Sequence, residues 1–117
     1  MEFIDKEGFN KCPKLKKINL PNSVNDLGFG AFEGNTGLEY LSLPVIRPVQ
    51  SGIISTNFGA LFGASSYEEN SEKVPQSLKT VKLTNATIIN TMQFYKCEHI
   101  EEIILNSGIT EIKTSAF

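Results

Sequence analysis

The sequence predicts an α/β solenoid of about four coils, with one short parallel strand per coil on one face and short helical turns or strands on the return side. Three recurrences predict it. A bulky apolar anchor stands at Phe9, Phe32, Leu61, Phe94 and Phe117, at steps of 23, 29, 33 and 23 residues. After the first four anchors comes apolar-x-x-apolar-x-apolar: Leu15/Ile18/Leu20, Leu38/Leu41/Leu43, Leu78/Val81/Leu83 and Ile100/Ile103/Leu105. Five residues before an anchor another apolar residue recurs, at Ile4, Leu27, Ile89 and Ile112, while Thr56 takes that place before Leu61. Such recurrence marks a repeat architecture, in which a unit unable to bury its apolar side alone stacks on its neighbours.

Each triplet reads as a strand. Ile18 and Leu20 are two apart, which puts them on one face of a strand but on different faces of a helix. Pro21 and Pro44 directly follow two of the triplets and end the pairing, because proline has no N–H to donate. Successive strands then lie side by side and parallel, with Ile18, Leu41, Val81 and Ile103 in one inward row. The outward positions form two columns: Lys17, Tyr40, Thr80, Glu102 and Asn19, Ser42, Lys82, Ile104. Leu41 and Ile103 are expected to be core residues, and Ser42 and Ile104 to tolerate polar replacement.

The stretches "AFEGNTGLEYLSLP" and "FYKCEHIEEIIL…GITEIKTSAF" resemble the BspA-type leucine-rich repeat, whose pattern reads roughly I-x-x-x-A-F-x-x-C-x-x-L-x-x-I-x-I-P. The likeness covers nearly the whole chain. It departs from the pattern in the insertions of the middle coils, and the asparagine usual after the strand in other leucine-rich repeats is missing, so ligand rules from those classes do not carry over. The resemblance implies a right-handed, curved leucine-rich-repeat solenoid with its strands on the concave side. It also implies a bacterial or protist cell-surface or secreted protein that binds a protein ligand, in adhesion to a host matrix or to another cell. A structural spacer that displays another domain is the alternative.

The totals agree with a soluble-type composition. Of 117 residues 40% are apolar, and 11 basic against 13 acidic side chains leave a formal charge of -2, which supplies no field to attract nucleic acid. No apolar run reaches the 18 or more residues of a spanning helix, so no membrane insertion is expected. "MEFIDKEGF" lacks the basic start and apolar core of a secretory signal. The chain is long enough for one domain, residues 1–117, and its two ends fall at the same phase of the repeat, as expected of a fragment of a longer array. Lys11, Lys14, Lys16 and Lys17 in the first coil face Glu98, Glu101 and Glu102 in the last, which would favour end-to-end self-association.

Binding residues are expected on the outward column (Lys17, Tyr40, Thr80, Glu102) and in two insertions. "VIRPVQSGIISTN" carries Arg47, and "FGASSYEENSEKVPQS" carries Tyr67, Glu68, Glu69, Asn70 and Glu72. The carboxylates match no calcium-loop spacing, and the segment reads as a solvated loop. Cys12 and Cys97 stand three residues after an anchor, where Asn35 and Ala64 stand in the other coils. Three strand steps of about 4.8 Å put them roughly 14 Å apart, beyond the about 7 Å a disulfide spans, so both read as small corner-filling thiols. The lone histidine, His99, reads as exposed, with no nucleophile or orienter beside it. The glycines of "GFGAF" read as turn residues, not a phosphate loop, and "NAT" at Asn85 is a glycosylation sequon. Neither a catalytic constellation nor a cofactor or metal motif is present, so no enzyme activity is expected.

Overall fold

The computed structural model describes residues 2–4, 14–46, 48–50, 53–113 and 115–116. Phe9, Lys11, Cys12, Arg47 and Phe117 lie outside the described residues. Among the described residues there are ten short strands: β1 Glu2–Ile4, β2 Lys17–Asn19, β3 Val24–Gly28, β4 Tyr40–Leu43, β5 Pro48–Gln50, β6 Ile53–Ile54, β7 Thr80–Leu83, β8 Ile88–Ile89, β9 Glu102–Ile104 and β10 Glu111–Ile112. One helical turn, α1 (Asn70–Lys73), follows 3-10 turns at Phe58–Phe62 and Tyr67–Glu69.

The four triplet strands form one parallel sheet in the order β2-β4-β7-β9. Its register is Lys17 beside Tyr40 beside Thr80 beside Glu102, and Ile18 beside Leu41 beside Val81 beside Ile103. The ladder repeats one bond: the carbonyls of Lys16, Glu39 and Lys79 each accept two N–H groups of the next strand's lead-in, at 2.8–3.2 Å. The inward row is buried at Ile18, Leu41 and Val81, as is the row Leu20, Leu43, Leu83. Burial fades at the ends. Leu15, Ile100, Ile103 and Leu105 are only half-buried, because each packs against a neighbour on one side. Ser42 corrects the outward reading. It is 6% exposed, since a short side chain on a central strand is covered by its longer neighbours Asn19 and Lys82.

The return side carries its own pairing. β1, β3 and β5 are parallel, with Ile4 beside Leu27 and Leu27 beside Pro48, and β8 pairs with β10 through Ile89 and Ile112. The residue equivalent to Leu27 in the third repeat is therefore Pro48, not Thr56. Within the insertion following β4, the strands β5 and β6 pair antiparallel on this sheet.

Between the two sides lie tight corners. In the second repeat Gly30 and Gly34, two residues either side of Phe32, have φ of +70° and +84°. Met92 and Lys96 stand in the same places around Phe94 with φ of +57° and +56°. The corner thus demands a left-handed backbone whatever the residue, at about 1–2 kcal/mol for a side chain that is not glycine. The third corner differs from the sequence expectation. Leu61 is buried, but the aromatic stack runs through Phe62 and Phe58: Phe32–Phe62 at 6.0 Å, Phe62–Phe58 at 5.5 Å and Phe58–Phe94 at 5.0 Å between ring centroids. Phe62 continues the stack from the second repeat and Phe58 hands it to the fourth.

Candidate functional site

The two insertions meet at the third corner. The turn Phe58–Phe62 is capped by Asn57, whose Oδ1 accepts from the Gly59 N–H at 3.3 Å and from Asn70 Nδ2 at 2.7 Å. Asn70 is fully buried, and its Nδ2 also donates to the Tyr95 carbonyl at 2.7 Å. A Cβ at Gly59 would come within 1.9 Å of Asn70 Oδ1, so only glycine lets the amide approach so closely. Val74, at the end of α1, is buried as well. The segment expected as a solvated loop is therefore pinned at both ends of α1: the Asn70 amide nitrogen is spent on protein acceptors, while its Oδ1 is buried beside Gly59 without a hydrogen-bond partner.

The three neighbours of Asn70 named from sequence point to different tasks. Tyr67 is half-buried, with its hydroxyl 3.4 Å from Thr56 Oγ1. Glu68 is paired with Lys96 at 2.7 Å and holds that ammonium's pKa above its usual range, chiefly through the hydrogen bond. Glu69 Oε1 accepts from the Ser65 N–H at 2.9 Å, bracing the turn from within. Among the described residues no group of three or more His, Cys, Asp and Glu is placed to hold a metal ion.

Beside Tyr67 lies a cleft of about 210 Å³ lined by Phe29, Pro48, Ser55, Asn57, Ala60, Ala64, Ser65, Ser66 and Tyr67. Both insertions contribute to it, with Pro48 and Ser55 from the first and Ser65, Ser66 and Tyr67 from the second. Sequence reasoning found Tyr67 but missed the cleft, because its walls come from residues up to 38 apart (Phe29 to Tyr67). The only sequence signal was that two departures from the repeat flank one corner.

The outward column of the parallel sheet is a different surface. Lys17 Nζ lies 4.9 Å from the centre of the Tyr40 ring, while Thr80 is half-buried and Glu102 exposed. Just ahead of the strands, charges alternate along the ladder. Lys16 stands 3.8 Å from Glu39, and Lys79 stands 4.0 Å from Glu101. All four are well exposed, so these pairs contribute about 0–1 kcal/mol each. Column and cleft share no residue, and the structure does not bring the sequence-predicted site residues into one place.

His99 is not the exposed residue expected. It is half-buried, with Nε2 out of contact with solvent, and its pKa is lowered by burial first and by Lys79 second. Lys79 reaches it from the preceding repeat and donates to its carbonyl at 3.4 Å. Cys97 is a free, buried thiol whose Sγ donates to the Tyr95 carbonyl at 3.5 Å. Burial, then the nearby Glu98, pushes its pKa up from 9.0 to about 12. In the folded chain Cys97 is expected to resist a thiol reagent at pH 8 and to react fully once the chain is unfolded in denaturant, with Cys12→Ser used to isolate it. Rapid labelling of the folded variant would contradict the packing of this corner. Because the folded pKa lies above the unfolded one, this thiol's share of stability is complete below pH 9 and is lost as pH rises towards about 12.

No helix of the described residues is long and apolar enough to cross a membrane. The sequence profile described as BspA type leucine rich repeat region matches residues 1–57 and 66–117, in six copies where the parallel sheet has four strands. The unmatched residues, 58–65, begin with the corner at which the aromatic stack changes hands. Comparison with curated proteins and with solved structures gives no match.

Proposed function

This chain belongs to the BspA-type leucine-rich repeat family, and we propose that it is a non-catalytic protein-binding module of adhesion type, a right-handed solenoid carried by a cell-surface or secreted protein. One observation carries the reading. The described parts of the two insertions meet in one patch, tied together by the Asn57–Asn70 and Asn70–Tyr95 bonds. A segment kept only as a spacer has no need of an interior amide hub. A rigid patch loses little conformational freedom on binding, so more of the contact energy appears as affinity. Tyr67 and Phe29 offer aromatic surface at the cleft, and Glu68 with Lys96 supplies a polar rim. Aromatic surface beside a charged pair is a combination that protein interfaces favour.

The test is capture of a ligand from a host extracellular-matrix extract by the chain and by its Tyr67→Ala/Glu68→Ala/Glu69→Ala variant, with melting followed to show that the variant is folded. Capture is expected to fall at least about tenfold, the loss of one interface hot spot. Equal capture by the folded variant would move the binding surface elsewhere, and the outward column Lys17, Tyr40, Thr80 and Glu102 would be next.

A further inference from the structure

We propose that the cleft between the two insertions binds a neutral, hydroxyl-rich ring, a single pyranose unit, held flat against Tyr67 or Phe29. The chemistry of its walls excludes the other classes in turn. Among the described residues no charged side chain lines it, so an ionic ligand would lose its hydration without gaining a counter-charge from them. The Glu69 carboxylate, which accepts from the N–H of the wall residue Ser65, disfavours anions further. A purely apolar ligand would desolvate Ser55, Ser65, Ser66 and the Tyr67 hydroxyl without offering them hydrogen bonds.

What remains is a ligand that offers hydroxyls around its edge and C–H groups on its face. Two aromatic side chains stand in the walls to meet such a face, whose weakly positive hydrogens suit the negative face of an aromatic ring. Ser55 Oγ already accepts from the Asn57 N–H at 3.0 Å, which positions the oxygen and leaves its own hydrogen to donate to a ligand. Size agrees with one ring. The cleft's about 210 Å³ lies below the about 300–1,000 Å³ usual for sites that hold drug-sized ligands. A serine or asparagine side chain from a peptide would leave much of that empty. The inference shares Tyr67 and Phe29 with the protein-binding surface proposed above but rests on the uncharged cleft walls, so sugar binding without protein capture, or the reverse, tells the two apart.

The experiment is a titration of the isotope-labelled chain, observing backbone amides, with D-glucose, D-galactose, D-mannose, L-fucose and N-acetyl-D-glucosamine up to tens of millimolar. Their methyl glycosides, N-acetylneuraminic acid and a short Gly-Ser-Asn peptide form the other arms. At least one neutral sugar is expected to shift the amides of Ser55, Asn57 and Ala64 to Tyr67 saturably. Tyr67→Phe and Ser55→Ala, which keep the shape of the walls, are each expected to weaken that binding about two- to tenfold, as loss of one hydrogen bond does. Binding of the methyl glycosides would identify the terminal unit of a glycan as the source; binding of the free sugar alone would identify a soluble sugar. The proposal is overturned if no neutral sugar shifts these amides, if N-acetylneuraminic acid or the peptide shifts them as strongly, or if the Tyr67→Phe/Ser55→Ala double variant binds like the parent.

Discussion

Phe58→Ala is expected to cost about 3–5 kcal/mol of folding stability, the range for deleting a fully buried aromatic side chain. Phe58 has no exposed surface and contacts two other rings, Phe62 and Phe94, at centroid distances of 5.5 and 5.0 Å. Its removal leaves a cavity where three repeats share one corner, and the surrounding rings cannot collapse into it without shifting the backbone bond from the Phe58 N–H to the Gln93 carbonyl. Urea unfolding followed by circular dichroism measures the effect as a fall in midpoint at unchanged slope. A cost below about 1 kcal/mol, the level of a typical surface change, would mean that this corner is not packed as described.

Leu41→Ala is the second large loss, at about 2–5 kcal/mol. Leu41 is fully buried in the middle of the inward row, with Ile18 on one side and Val81 on the other. The sequence places Ile103 in the same row and gives no reason to treat it differently. The structure does. Ile103 lies on the outermost strand β9 and is half-buried, so Ile103→Ala is expected to cost clearly less. The order of the two values in the same urea experiment separates a row that fades at its end from one that is uniform.

The register of the parallel ladder was legible because it rests on a local rule. Residues two apart on a strand share a face, and the triplet repeats that spacing in every copy. Features that depend on partners far along the chain were not. Nothing in the neighbourhood of Asn70 says that it is buried, since its partners Asn57 and Tyr95 lie 13 and 25 residues away, and beside three glutamates it reads as a surface residue. Ser42 fails for a related reason: its exposure is decided by the lengths of Asn19 and Lys82 on the adjoining strands. The third anchor was misplaced because one role is split between Phe58 and Phe62, and a search for a single recurring position settles on Leu61 between them. His99 looked isolated because its cover comes from Lys79 and Pro75, twenty or more residues earlier.

The split anchor has a wider consequence. With one ring facing the repeat before and the other facing the repeat after, the third corner behaves as a coupling of adjustable length. Extra chain can be taken up there while the opposite wall of the molecule continues at its regular pitch, undisturbed. A lineage can therefore rewrite the sequence at such a coupling, changing what the protein touches, and the rest of the array inherits no strain from the edit.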